Sequence, residues 1–326
     1  TGFALWAPTA RNVTLCTYGA QGMSHETIPM TRDAATGVWR ATPRSERRGL
    51  YYRYAVEVFV RGVGVVRNLV TDPYSVSLNA DSQRSYVADL SAPWLMPPNW
   101  RRRPTPAPAA APEDMTIYEL HVRDFSANDT TVSPRNRGKY LAFQEPRSDG
   151  MRHLRALAAA GVTDVHLLPT FDFASTPETG CITPAIPVAA PDSDAQQAAA
   201  NAARGTDCFN WGYDPWHYTA PEGGYASDAD DGAARIREFR AMVMGLNAAG
   251  LRVGMDVVYN HTSASGQNAK SVLDRVLPGY YHRLNAAGDI ERSTCCENTA
   301  TENRMMAKLM IDSVETWATQ YGIDSF

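Results

Sequence analysis

No stretch of this sequence stays apolar for the roughly 20 residues that a membrane-spanning helix requires, so no such span is read. Basic residues are not in excess: Lys and Arg number 31 against 35 Asp and Glu, and the formal net charge is -4. A nucleic-acid binder would show a basic stripe, so that class is excluded. The arginine clusters Arg44 to Arg48 and Arg101 to Arg103 lie beside prolines and read as solvated loop. Cysteine is sparse, at five residues, and none falls in a CxxC pair or a Cys/His spacing that suggests zinc. Cys295 and Cys296 are adjacent; their Cα atoms would lie about 3.8 Å apart, below the usual disulfide span of roughly 4.4–6.8 Å, so a bond between them would be strained. Cys181 and Cys208 flank one polar insertion and could clasp it. This usage leans toward an oxidising, extracytoplasmic compartment. No secretory leader opens the chain and no initiating Met is present. The chain starts on the strand-like Phe3-Ala4-Leu5-Trp6, so a preceding segment is expected.

What is present fits a globular protein of about two domains: 326 residues, 44% of them hydrophobic and 20% charged. Residues 1–91 read as short strands punctuated by Gly, Asp and Pro, among them Val13 to Tyr18, Gly37 to Ala41 and Tyr51 to Phe59. No helical period intervenes, which predicts an immunoglobulin-like β-sandwich. Residues 92–113 are Pro-rich and predict an extended, semi-rigid linker laid along the next domain through Trp94 and Trp100.

From residue 114 to 326 strand and helix alternate. Strands are expected over Met115 to Phe125, Val162 to Leu168 and Val253 to Tyr259, with a fourth beginning at Ile323. Helices are expected over Ser148 to Ala160, over residues 231–249, and after a cap at Thr301. This pattern predicts a parallel α/β architecture. An eightfold (β/α)8 barrel needs about 250 residues, and roughly 210 remain after the linker, reaching only the fourth strand. The absence of a Gly-rich phosphate turn after the first strand lowers the nucleotide-binding reading.

Polar residues gather at the carboxyl ends of these strands, where barrel enzymes place their sites. The third strand ends in Asp256-Val-Val-Tyr-Asn260-His261, and a period of two puts Asp256, Val258 and Asn260 on one face. An Asp within Val253-Gly-Met-Asp-Val-Val is costly to bury unless paired, and a salt bridge that merely holds strands together would serve as well as a site. The connection after the second strand runs about 60 residues, a length usually functional or disordered. Its first half, Asp192 to Gly205, reads as a mobile insertion. Its second half, Phe209-Asn-Trp-Gly-Tyr-Asp-Pro-Trp-His-Tyr218, sets five aromatics beside Asn, Asp and His. Sugar rings offer C–H faces to aromatics and hydroxyls to short polar side chains, so carbohydrate binding is the favoured reading; a hydrophobic cluster pinning the loop is the other.

The order of four pieces, Ile117-Tyr-Glu-Leu-His-Val-Arg-Asp-Phe-Ser126, Asn210-Trp-Gly-Tyr-Asp-Pro215, Asp256-Val-Val-Tyr-Asn-His261 and Tyr321-Gly-Ile-Asp-Ser-Phe326, resembles the α-amylase superfamily, in its type I pullulanase and limit-dextrinase branch. The resemblance spans nearly the whole chain, with Phe209 where that family usually has Tyr. It implies a carbohydrate-binding-type sandwich followed by a (β/α)8 barrel truncated at the fourth strand. It implies that Tyr213, beside Trp211, stacks under the glucose being cleaved, that Asp214 orients the loop and sugar, and that His261 bonds the sugar's hydroxymethyl oxygen. Asp256 would pair with an arginine on the next strand and Asn260 would brace the loop. The partner implied is a branched α-glucan, such as pullulan, limit dextrin, starch or glycogen, cleaved at α-1,6 links by a retaining mechanism.

In that family the fourth strand continues as Gly-Phe-Arg-Phe-Asp, whose Asp is the nucleophile, and a Glu on the fifth strand is the acid/base. The present chain stops at Phe326 and has Ser325 at the Gly position. By itself it is therefore expected to lack catalytic residues and to be inactive. No cofactor is implied; a structural calcium ion is left open, although no EF-hand-like loop occurs. Three other readings stand beside this one. They are a non-catalytic glucan-binding protein or degenerate fragment, a related branching transferase, and a metal hydrolase using His217, His261, Asp214 and Asp256.

Overall fold

The computed structural model describes residues 1–19, 22–293 and 296–326. Cys295, one of the adjacent pair, lies outside the described residues. Eight strands fill the N-terminal part: β1 (Phe3–Trp6), β2 (Asn12–Tyr18), β3 (Ser24–Pro29), β4 (Thr31–Arg32), β5 (Val38–Ala41), β6 (Tyr51–Val60), β7 (Gly64–Val70) and β8 (Ser85–Tyr86). They form two antiparallel sheets, one ordered β3-β2-β6-β7 with β8 on β6, the other β1-β5-β4. Leu15, Tyr54, Val56 and Val58 of one sheet pack with Phe3, Leu5 and Trp39 of the other. Alternation of apolar and polar residues along β2 and β5 supplies the two inner faces.

That core does not end at the sandwich. Tyr218, Val272, Leu273, Val276, Tyr281, Met306 and Leu309 belong to the same buried cluster. Trp6 meets Tyr280 edge-on at 5.0 Å, Tyr51 Oη donates to the Asp230 carbonyl at 2.6 Å, and Ser77 Oγ donates to the Gly232 carbonyl at 2.8 Å. The sandwich is thus seated directly on the C-terminal part.

The segment between them departs from a uniformly extended linker. Short 3-10 turns form at Pro93–Leu95, Trp100–Arg102 and Pro112–Asp114. Proline is well placed at the start of such a turn, where its missing N–H is not needed. Leu95 and Trp100 are buried, with Arg103 over the Trp100 ring, whereas Trp94 is largely exposed.

The C-terminal part contains β9 (Ile117–Leu120), α1 (Val122–Ser126), α2 (Asp149–Ala159), β10 (Asp164–Leu167), β11 (Phe171–Phe173), α3 (Ala195–Ala203), β12 (Pro215–Pro221), α4 (Gly232–Ala248), β13 (Arg252–Met255), β14 (His261–Thr262), α5 (Leu273–Val276), β15 (Glu297–Asn298) and α6 (Arg304–Tyr321). Strands β9, β10 and β13 are parallel, adjacent and in sequence order, with Val165 opposite both Tyr118 and Val253. Ser325 bridges Gly254 in parallel on the far side of β13. Each new strand therefore adds to the same edge. Ser148 caps α2 by accepting from the Met151 N–H, and Asp231 caps α4 by accepting from the Ala233 N–H. Helix α4 is buried almost all round; at Gly245 a Cβ would collide with the Phe143 carbonyl, so only glycine lets the helix approach.

Four expectations shift. The first strand stops at Leu120, because His121 Nδ1 accepts from the Asp124 N–H and starts α1. The third stops at Met255, so Asp256, Val258 and Asn260 do not share a strand face, although the Asp256 N–H still reaches the Leu167 carbonyl at 2.9 Å. Asn303 rather than Thr301 occupies the N-cap position of α6. The Asp192 to Gly205 insertion holds a helix, α3, since its alanines and glutamines are good helix formers.

Candidate functional site

The long connection after β10 is built from its base upward. Strands β11 and β12 pair antiparallel, with Phe171 opposite Pro221 and Phe173 opposite Pro215, and this hairpin closes the loop. Cys181 and Cys208 form a disulfide across the insertion above it. Between the insertion and β12 the aromatic segment folds back on itself. Asn210 Oδ1 accepts from the Gly212 N–H at 2.9 Å, and its amide donates to Asp214 Oδ1 at 2.9 Å and Ser175 Oγ at 2.8 Å. Gly212 has φ 89° and lies tight against Pro169 and Phe173, a conformation and a fit that favour glycine.

This fold leaves an open groove of about 500 Å³ lined by Arg204, Asp207, Phe209, Trp211, Tyr213 and Asp214 among others. Trp211 is 61% exposed, with neither a hydrogen-bond nor a ring partner among the described residues. Tyr213 is fixed at both ends. Its hydroxyl donates to Asp256 Oδ2, and its carbonyl is met by His261 Nε2 at 2.8 Å. Partial burial, then the Asp256 carboxylate, raise the Tyr213 pKa and keep the phenol neutral. His261 is held from behind, its carbonyl accepting from Tyr218 Oη at 2.9 Å. His121, at the end of β9, reaches the Asn210 carbonyl through Nε2 at 2.7 Å and packs against Phe209.

The structure therefore brings together Trp211, Tyr213, Asp214, Asp256 and His261. Among the described residues Asp256 has Tyr213 as its partner, whereas the arginine expected on the next strand falls after Phe326, outside this sequence. Asn260 contributes through its carbonyl, which accepts from the Thr299 N–H at 3.0 Å. His217 stands apart: it is buried, between Thr71 Oγ1 at 2.7 Å and Asp172 Oδ2 at 2.5 Å. That hydroxyl–imidazole–carboxylate chain has the order of a nucleophilic triad, but all three residues are buried in the packing between the sandwich and the C-terminal part. The proposed metal quartet of His217, His261, Asp214 and Asp256 is accordingly not assembled. Trp39 and Tyr52 are core residues of the sandwich, bonded to the Ala7 carbonyl at 2.9 Å and to Asp72 at 2.9 Å.

At the β11–β12 hairpin lies a cluster that sequence reasoning missed. Asp172, Glu178 and Glu222 converge on Arg235, which is 0% exposed. Arg235 bonds Glu178 at 2.5 Å, lies 3.7 Å from Asp172, and donates to the Asn79 carbonyl at 2.6 Å and the Ala229 carbonyl at 3.1 Å. Ser82 Oγ donates to Asp172 at 2.5 Å, so the sandwich takes part. Gly223 has no room for a Cβ between Arg235 and Glu178. Among the described residues these three carboxylates are the one set whose ligand atoms, all within 4.8 Å of one another, could close around an ion. The guanidinium already supplies a cation there, so the set reads as an ion cluster rather than a metal site.

One guanidinium cannot neutralise three buried carboxylates. Burial raises the Glu178 pKa from 4.5 to about 7, against the opposing pull of Arg235 and with added repulsion from Asp172. Glu222 is raised as well, first by burial and then by Glu178 and Asp172. A carboxyl with a raised folded pKa holds its proton more tightly when folded. Its contribution is complete below the unfolded value and is lost as pH rises through the folded one. Urea unfolding of the full protein should therefore show stability from Glu178 declining between about pH 4.5 and 7, by roughly 3 kcal/mol. Glu178→Gln should flatten that segment of the profile; an unchanged slope would assign it to other groups.

A family model for carbohydrate-binding module 48, the isoamylase N-terminal domain, matches residues 1–75, the sandwich without β8. Along 99% of its length the chain is similar to two curated enzymes. It is 40% identical to the pullulanase of Klebsiella aerogenes and 42% identical to the chloroplastic pullulanase 1 of Arabidopsis thaliana, covering 34% of each. It superposes with a TM-score of 0.92 on a solved Klebsiella pneumoniae pullulanase complexed with maltotriose, at 40% identity, covering 99% of this chain and 35% of that one. Along nearly its whole length the chain is thus similar to part of the pullulanases, and it spans about a third of the length of these relatives.

Proposed function

We propose that this chain forms the glucan-gripping front of a debranching α-glucan hydrolase, which cleaves α-1,6-glucosidic links in pullulan, limit dextrins or branched starch and glycogen. The carrying observation is the groove: an exposed Trp211 beside a Tyr213 locked from both sides by Asp256 and His261. The solved relative with maltotriose supports an α-glucan as its occupant. The sequential parallel order of β9, β10, β13 and Ser325 supports the opening strands of a (β/α)8 barrel, since each strand adds to one edge without reversal.

In this reading Tyr213 and Trp211 stack on glucose faces and Asp214 holds the loop that carries them. His261 positions Tyr213 while its remaining polar edge meets the sugar. Asp214 is engaged by Asn210 and Ser175, and Asp256 by Tyr213, so both orient rather than react. We assign the nucleophile and the acid/base of the retaining reaction to parts of the parent enzyme outside residues 1–326, which makes these residues alone inactive. The reaction so read uses no cofactor. The Cys181–Cys208 bond supports an oxidising, extracytoplasmic setting.

The test is reducing-end release from pullulan by the full protein, with the anomer followed by NMR. The α-anomer should appear first. Tyr213→Ala should lower kcat/KM by roughly 10- to 100-fold. Glucan binding without any release would instead favour the non-catalytic reading.

A further inference from the structure

The groove has a second wall that does not come from the aromatic segment. It comes from the insertion held by the Cys181–Cys208 disulfide. There the Ile182 N–H donates to the Thr206 carbonyl at 2.8 Å and Ile182 bridges Asp207 in parallel, so the backbone around residues 204–207 is tied to the start of the insertion. The Thr206 and Asp207 N–H groups both return to the Ala203 carbonyl, at 2.8 and 2.9 Å, which ties the same stretch to the end of α3.

Arg204 and Asp207 stand on this tied stretch and line the groove together with Trp211 and Tyr213. The Arg204 guanidinium is exposed and has no hydrogen-bond or ion-pair partner among the described residues. Asp207 uses Oδ1 to accept from the Phe209 N–H at 3.2 Å, which leaves Oδ2 available. A glucose residue offers apolar faces and a ring of hydroxyls that both donate and accept. An indole covers the first; a guanidinium fork and a carboxylate oxygen match the second.

We propose that Arg204 and Asp207 form a polar wall that grips the hydroxyls of an α-glucan stacked on Trp211, so that the clasped insertion sets how tightly the groove holds the chain. This rests on the reading of the groove as a glucan site.

The experiment is calorimetric titration of the full protein with maltotriose and maltohexaose. Both probes are α-1,4-linked, so a debranching enzyme would leave them intact. Arg204→Ala/Asp207→Ala should weaken binding of maltohexaose by about 10-fold or more at an unchanged melting temperature, with Arg204→Lys intermediate. Cys181→Ser/Cys208→Ser should weaken it in the same direction, by releasing the wall; unchanged affinity there would overturn the part given to the clasp. Trp211→Ala serves as the reference for the groove itself. If Trp211→Ala weakens binding and Arg204→Ala/Asp207→Ala stays within about twofold of the parent, the polar wall is refuted and the groove reading stands. If Trp211→Ala changes nothing, the groove reading falls, and this inference with it.

Discussion

Replacing Arg235 by methionine is expected to lower the unfolding free energy of the full protein by about 3–5 kcal/mol at neutral pH. The reason is asymmetry. Arg235 is fully buried against Glu178 and Asp172, with Glu222 close by, and its removal leaves buried carboxylates without a cation. It would also leave the Asn79 and Ala229 carbonyls without the donors they now have in Arg235. Part of the loss should be recovered at pH 5, because Glu178 and Glu222 can then be neutral. Arg235→Lys keeps the charge but not the five-donor fork, so it should fall between the two, at about 1–2 kcal/mol. Urea titrations at pH 5 and 8 on both variants decide the matter. Equal losses for lysine and methionine would show that charge compensation is not what Arg235 provides. The consequence reaches the groove, because Asp172 belongs to β11, Glu222 follows β12, and this hairpin supports the aromatic segment above it.

Trp317→Ala should be comparably damaging, at about 3–5 kcal/mol. Trp317 is 0% exposed on α6, with ring centroids 5.1 Å from Phe239 of α4 and 4.7 Å from Tyr321. Its indole N–H donates to the Tyr218 carbonyl at 2.9 Å, where Ser313 Oγ also donates at 3.1 Å. Truncation would open a cavity between two helices and loosen the strand that leads from the groove. Tyr218 in turn holds the His261 carbonyl, so a weaker grip on maltotriose should accompany the stability loss. Trp317→Phe retains most of the volume and loses the donor, for about 1–2 kcal/mol. A phenylalanine variant as unstable as the alanine variant would place the weight on the hydrogen bond instead of on packing.

Much of the fold is legible in local patterns because local physics dominates there. Helices α2 and α4 begin at Ser148 and Asp231 and stop within a residue or two of Gly161 and Gly250, where capping and a glycine stop place them. The Asn210 to Pro215 segment announces itself because Asn210 and Gly212 close the turn through contacts two to four residues apart. Less legible is the end of a strand. Nothing in Leu120-His121-Val122 signals that an imidazole accepts the Asp124 N–H and turns the chain into α1. The insertion reads as mobile from its composition, yet its alanines and glutamines are good helix formers and build α3 within the segment that the 181–208 disulfide closes.

Composition, order and spacing alone determine the sandwich, the alternation of strand and helix, and the aromatic motif on a long loop, for these follow from period, turn chemistry and short-range bonds. The tertiary structure alone decides which charged residues are inside. Asp172, Glu178, Glu222 and Arg235 are scattered over 64 positions and look like ordinary surface charges until β11, β12 and α4 bury them together. It alone decides that His217 faces Asp172 and Thr71 while His261 faces Tyr213, and that the sandwich shares a core with the part carrying the groove. Desolvation depends on what every distant segment covers, and no local window of sequence contains that information.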